Sequence, residues 1–175
     1  MSSNPNEREF KPLNIAVMTV SDTRTEETDK SGNTLAKLLT EAGHTLGDKQ
    51  IVPDNIYRIR AVVSQWIADE SVNAVITTGG TGITGRDTTP EAVAALFDKQ
   101  IDGFGEVFRA VSYEEINTST IQSRAVAGVA NATFIFCLPG STGACRTGWG
   151  KLISHQLDYR TRPCNLVELM PRVLG

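Results

Sequence analysis

The chain has no apolar run long enough for a membrane. Its longest, Ile15 to Val20 interrupted by Thr19, is far short of the roughly 20 residues a span requires. It also lacks an excess of positive charge: 17 Lys and Arg against 20 Asp and Glu give a net charge of −3 and a pI of about 5.4. No bulk field therefore holds a nucleic acid or an anionic membrane, and an anionic ligand has to be gripped locally. The three cysteines, Cys137, Cys145 and Cys164, are an odd number without Cys-x-x-Cys spacing, and the N-terminal Met-Ser-Ser-Asn-Pro-Asn-Glu-Arg lacks the apolar core of a signal peptide. A reduced, cytoplasmic setting is expected. His44 and His155 stand apart from each other and from most of the cysteines, which speaks against a four-ligand zinc site. What is left, 40% hydrophobic and 21% charged over 175 residues, is the composition of one globular domain, able to bury about 70% of its unfolded surface.

The glycines are unevenly placed. Eight of 15 lie in two short stretches, at 79, 80, 82 and 85 and at 140, 143, 148 and 150, which implies two tight loops with a task. Residues 1–12 are polar, contain Pro5 and Pro12, and read as a mobile leader to a single domain over 13–175. Leu13 to Val20 is nearly continuously apolar and rich in β-branched residues, the pattern of a strand buried on both faces of a parallel sheet. Leu35, Leu38, Leu39 and Ala42 then recur at helical spacing up to Gly43. A weaker strand over 45–52, a second amphipathic helix from Ile56 to Ile67 and a third strand over 74–78 follow. Strands alternating with helices give right-handed βαβ units. Beyond Pro90 the pattern predicts helices over 90–97, 105–115 and around 123–129, a buried strand over 133–138, and a helix from about 141 to 157. The tail from about 160 is expected to lie irregularly over the domain.

In an open parallel sheet, ligands bind beyond the carboxyl ends of the strands, and the informative residues fall there. Ser21, Asp22, Thr23 and Arg24 follow the first strand, and Asp29 to Asn33 lead into a helix for which Ser31 is a candidate N-cap. That stretch either caps and turns, or offers its free N–H groups to phosphate. After the third strand comes Thr78-Gly79-Gly80-Thr81-Gly82-Ile83-Thr84-Gly85-Arg86-Asp87-Thr88-Thr89-Pro90-Glu91. Residues 80–85 formally match Gly-x-Gly-x-x-Gly, but the helix begins late, at Pro90, and no strand follows about 20 residues on to present a ribose-binding acid. A nicotinamide oxidoreductase is therefore disfavoured, and no Walker A loop is present.

The loop instead offers a row of unobstructed backbone amides with Arg86 as cation, Asp87 as carboxylate and Thr88 to Glu91 in capping-box spacing. It reads either as a cradle for a nucleotide's phosphates and a metal ion, or as a long tight turn in which Asp87 only supports the helix start. Pro139, Gly140, Ser141, Thr142 and Gly143 open another helix after the last strand and repeat the anion-site pattern. Asp54, after the second strand, either caps the next helix or joins Asp87 as a Mg²⁺ ligand.

Together these loops resemble the MoaB/Mog family of molybdenum cofactor biosynthesis proteins. The carriers are Thr19-Val20-Ser21-Asp22, Asp29-Lys30-Ser31-Gly32, Thr78-Gly79-Gly80-Thr81-Gly82 with Arg86-Asp87-Thr88-Thr89-Pro90-Glu91, and Leu138-Pro139-Gly140-Ser141. Gly103 to Arg109 and Ser123 to Gly128 look like the MoaB branch. The resemblance implies a molybdopterin-binding α/β fold, with a mostly parallel central sheet and helices on both faces, assembled as a trimer or hexamer. It implies that the chain binds molybdopterin and adenylylates it with Mg-ATP, releasing pyrophosphate, and that it works beside other proteins of that synthesis. Asp54 and Asp87 would hold Mg²⁺ and carry catalysis, and Gly79, Gly80, Thr81 and Gly82, with Arg86, would cradle the nucleotide. Pro139, Gly140 and Ser141 with Ser21, Asp22 and Ser31 would hold the pterin's phosphate end, although the opposite order of the two ligands stays open. Some members lack acids at the positions of Asp54 and Asp87; this sequence keeps both, which argues against the alternative, a non-catalytic molybdopterin carrier or scaffold.

Overall fold

Strand β1 (Asn14–Val20) is buried along nearly its whole length, and its side chains alternate between two separate cores. Ile15 and Val17 enter one, Ala16, Met18 and Val20 the other. That alternation makes β1 the middle layer of three. The computed structural model describes residues 7–175. In it β1 is flanked by β2 (Thr45–Val52) and β3 (Ala74–Thr78), and the sheet continues through β6 (Thr133–Leu138) and β5 (Val126–Ala130) to the two-residue β4 (Lys99–Gln100). The strand order is β2-β1-β3-β6-β5-β4, parallel from β2 to β6 and antiparallel beyond.

One face is covered by α1 (Lys30–Glu41), α4 (Asp102–Ile116) and α5 (Thr142–Gly148), through Leu35, Leu39, Phe104, Phe108 and Cys145. The other is covered by α2 (Ile56–Ala68) and the short α3 (Thr89–Ala94), through Ile59, Val63, Trp66, Ala92 and Val93. The three-layer, mostly parallel architecture expected from the sequence is present. From α5 the chain passes through a π-wound turn, Trp149–Ile153, into α6 (Ser154–Gln156), so the helix expected over 141–157 is one run with a widened turn.

Some local expectations fail, each for a visible reason. The segment around 123–129, expected to be helical, runs instead into strand β5 from Val126. Asn131 and Ala132, at φ 47° and 64°, form a two-residue left-handed turn that folds β5 onto β6, and without a glycine that turn gives no hairpin signal. A strand does follow about 20 residues after Gly80, where none was expected: β4, two residues long, lies between the helices expected over 90–97 and 105–115 and pairs antiparallel with β5, unlike the parallel strand of a dinucleotide-binding unit. Ser31 does not cap α1: the cap is Asp29, whose Oδ1 accepts from the Gly32 N–H at 2.9 Å. The Thr88–Glu91 capping box does not form either, since the Thr88 side chain makes no cap bond and Glu91 pairs with Arg124. Asn55, not Asp54, caps α2, accepting from the N–H groups of Tyr57 and Arg58.

Of the expected leader, residues 1–6 lie outside the described chain. Residues 7–12 form no helix or strand, yet they rest on the C-terminal segment. Arg8 pairs with Glu168 and donates to the Tyr159 carbonyl, Lys11 lies over the Tyr159 ring, and Phe10 packs on His44. Buried His44 accepts from the Leu13 N–H through Nδ1 at 3.1 Å, which requires that nitrogen to be unprotonated. Burial lowers its pKa from the ordinary 6.5, opposed by the charge of Asp158.

Two outcomes follow from this packing. Gly79 sits at φ +100°, and a Cβ there would lie 2.3 Å from the Val20 carbonyl oxygen, whereas a Cβ on Gly85 meets nothing within 4 Å. Gly79→Ala is expected to cost about 2–5 kcal/mol in urea unfolding, and Gly85→Ala less than about 0.5 kcal/mol. For His44, the unfolded chain binds the extra proton and the native one resists it, so stability is full above 6.5 and declines as pH falls below it. Urea midpoints between pH 7 and pH 5.5 should show that decline, and His44→Gln should flatten it.

Candidate functional site

Four parallel neighbours, β2, β1, β3 and β6, end on the same edge of the sheet, and the loops leaving them converge. The convergence depends on two glycines. Gly79 touches the Val20 carbonyl with its bare Cα, and a Cβ on Gly140 would lie 3.1 Å from the Gly79 Cα. Three further bonds lock the crossing: Gly79 N–H to Leu138 O at 3.0 Å, Thr78 Oγ1 to Pro139 O at 2.9 Å, and Thr89 Oγ1 to Gly79 O at 2.9 Å. The N–H groups of Gly80, Thr81, Gly140 and Ser141 find no hydrogen-bond partner among the described residues, and they form a ridge suited to an anion.

A cleft opens on each side of this ridge. The first, about 490 Å³, lies between the ridge, Asp87 and α4, with Phe108 and Ile116 as apolar walls and Ser112, Glu115 and Thr147 as polar groups. The second, about 520 Å³, lies between the ridge and the start of α1, lined by Ser21, Arg24, Lys30 and Ser31. Beneath the second, buried Asp29 accepts from Thr19 Oγ1 and the Gly32 N–H and pairs with Lys49 at 3.0 Å, which fixes the start of α1. Cys145 lies under the ridge. Burial pushes its thiol up to about 11, so it is a packing group and no nucleophile.

The carboxylates differ in environment. Asp87 Oδ2 accepts from the Thr84 hydroxyl at 2.6 Å and the Thr84 N–H at 2.9 Å, and these bonds, with the charge of Arg124, hold it below the usual carboxylate range. Half-buried Asp54 shifts the other way, pushed up by burial and by the negative charges of Asp22 and Asp87. Arg86 reaches Asp22, whose Oδ2 accepts from its Nε at 3.0 Å, so the cation assigned to the nucleotide is already engaged. Asp22 Oδ1 in turn accepts from the Asp54 N–H at 3.0 Å. Asp54, Asp22 and Arg86 thus sit together beside the ridge but line neither cleft, whereas Gly80, Thr81, Gly82, Asp87, Pro139, Gly140, Ser141, Gly79, Ser21 and Ser31 all do.

Among the described residues, no three or more His, Cys, Asp and Glu side chains cluster as metal ligands. The hard oxygens of Asp54 and Asp87, with the Asp54 carboxylate disfavoured by burial and by its acidic neighbours, fit instead a cation that arrives on phosphates and takes one or two protein carboxylates. Sequence reasoning missed the α4 wall, Ser112, Glu115 and Ile116, because residues 105–115 read only as a helix and Ile116 lay just beyond it. It also missed Arg124, which donates to Gly82 O at 2.7 Å and Asp87 O at 2.9 Å, pairs with Glu91, and so clamps the Asp87 loop.

Comparison with known proteins agrees with this geometry. Residues 16–159 match the family model described as "Probable molybdopterin binding domain". The chain is 60% identical over 157 residues to molybdenum cofactor biosynthesis protein B of Escherichia coli K12, covering 90% of this chain and 92% of that one. A crystal structure of a molybdenum cofactor biosynthesis protein B superposes with a TM-score of 0.83 at 48% identity, over 86% of this chain and 94% of the other. The tungsten cofactor synthesizing protein MoaB of Pyrococcus furiosus gives 0.74 at 39%, over 83% and 92%. The chain belongs to the molybdopterin-binding family of molybdenum cofactor biosynthesis proteins.

Proposed function

We propose that the protein serves molybdenum cofactor biosynthesis by transferring the adenylyl group of Mg-ATP to the terminal phosphate of molybdopterin. The observation that carries this reading is the ridge: two clefts of similar volume, about 490 and 520 Å³, meet on unpartnered amides with Asp87 at one flank. Two ligands lying in the two clefts bring their phosphates together there. A phosphate oxygen of the pterin attacks the α-phosphorus of ATP, the bond to the β-phosphate oxygen breaks, and pyrophosphate leaves with the electron pair. The nucleophile is already an anion, so no general base is needed, and the chain's contribution is positioning and charge neutralisation. Ridge amides bind the phosphates, while Asp87, ionised and aimed by Thr84, together with Asp54 would hold Mg²⁺. Bound there, Mg²⁺ supplies positive charge to the phosphate oxygens. Arg86, tied to Asp22, acts on the electrostatics of Asp54 and not as a direct phosphate ligand.

Other supports concern setting and assembly. All three cysteines are free, which suits a cytoplasmic protein, and no helix among the described residues is long and apolar enough to cross a membrane. Exposed Val107, Tyr113 and Ile121, on α4 and the turn after it, supply apolar surface for the trimer or hexamer that the family resemblance implies.

The test is to incubate the full chain with molybdopterin and Mg-ATP and follow pyrophosphate and adenylylated pterin. Turnover is expected, and Asp87→Asn should lower it by about 10²–10³-fold. Intact pterin binding without turnover in the unmodified chain makes the protein a carrier. Arg124→Ala should reduce turnover by about 10–100-fold with only a small change in Tm, because the Asp87 loop loses its clamp. Arg124→Lys should restore little, since one ammonium cannot replace a fork reaching Gly82, Asp87 and Glu91.

A further inference from the structure

The cleft against α4 is chemically lopsided. Its ridge end, at Gly80, Thr81 and Ser141, presents amide donors, while its far end carries the carboxylate of Glu115. A phosphate is attracted to the first and repelled by the second. Glu115 is also held in a defined orientation: Thr147 Oγ1 donates to Oε2 at 2.7 Å, and Lys151 Nζ pairs with Oε1 at 3.1 Å. These two partners, Thr147 foremost, keep Glu115 below the usual carboxylate range, so it is ionised at neutral pH. With one protein donor on each oxygen, each retains acceptor capacity, and the pair forms a fork for two parallel N–H groups. Phe108 and Ile116 add apolar walls for a flat ring.

Ring chemistry then discriminates between the two ligands. The 2-amino-4-oxo edge of a pterin offers N3–H and a 2-amino N–H side by side, matching both oxygens. Adenine offers its 6-amino donor beside the N1 acceptor, which sets a lone pair against a carboxylate oxygen. We propose that Glu115 is the specificity-determining residue that reads the 2-amino-4-oxo edge of the pterin, assigning the α4 cleft to the pterin and leaving the α1 cleft, with Arg24 and Lys30, to the nucleotide. The proposal rests on the functional reading above and deepens it.

Equilibrium fluorescence titration of the full chain tests it with two probes. One is 6-hydroxymethylpterin phosphate; the other is 6-hydroxymethyllumazine phosphate, in which oxygen replaces the 2-amino group. The unmodified protein should prefer the pterin by about tenfold or more. Glu115→Gln, whose amide offers one donor and one acceptor, should reverse the preference, since it suits N3–H beside a 2-oxo group. An unchanged pterin preference in Glu115→Gln overturns the role of Glu115 while leaving pterin binding, and the functional reading, intact. Loss of ATP affinity in step with pterin affinity also overturns it, because the α4 cleft then holds the nucleotide. If the unmodified chain binds neither the pterin probe nor ATP, the inference and the functional reading fall together.

Discussion

The contact on which the site depends is the approach of the Gly79 Cα to the Val20 carbonyl and of Gly140 to Gly79. Parallel strands end side by side, about 4.8 Å apart, and ordinary side chains in the connecting turns would hold the next segments away from one another. Removing the Cβ at two adjacent turns lets three loops share one ridge. The backbone polarity left unpaired by that crossing is the feature on which the proposed phosphate binding rests. In a chain of net charge −3, this is how a local positive potential arises without a basic patch.

Around that crossing the molecule assigns opposite duties to its acids. Asp29, buried and surrounded by donors, is structural and fixes the start of α1. Asp87 is oriented by its own loop and by the clamp of Arg124, so its position is set before a ligand arrives. The Asp54 carboxylate is disfavoured by burial and by the charges of Asp22 and Asp87, which Arg86 offsets only in part. One cation on a phosphate chain would settle that imbalance, whereas an all-protein cage would have required further carboxylates nearby. Preorganisation by backbone and second-layer bonds suits chemistry in which the nucleophile needs no activation.

The sequence was readable where one physical signal dominated. Burial on both faces makes β1, β3 and β6 continuous apolar runs, and loops at their carboxyl ends show their glycines and Asp87 openly. It was unreadable where the determinant lay elsewhere in space. In the β5 segment, Val-Ala-Gly-Val-Ala, the Phe97 ring fills the space that a Cβ on Gly128 would need, and its turn uses Asn131 and Ala132 in place of glycine. Asp29 and Ser31 are both competent caps, and only the position of Thr19 and Lys49 selects Asp29. Glu115 and Thr147 join one cleft although 32 residues separate them, and Arg124 clamps a loop 37 residues away; neither relation leaves a spacing in the chain.

The contact between His44 and Leu13 lies at the amino end of β1, while the ridge lies at its carboxyl end. The seven residues of β1 separate the two by about 20 Å. The N-terminal segment and the tail it grips through Arg8 and Glu168 therefore meet on the side of the sheet remote from the clefts. Arg8 and Phe10 are thus held at that rear edge, so a surface that grips the protein there leaves both cleft mouths facing solution.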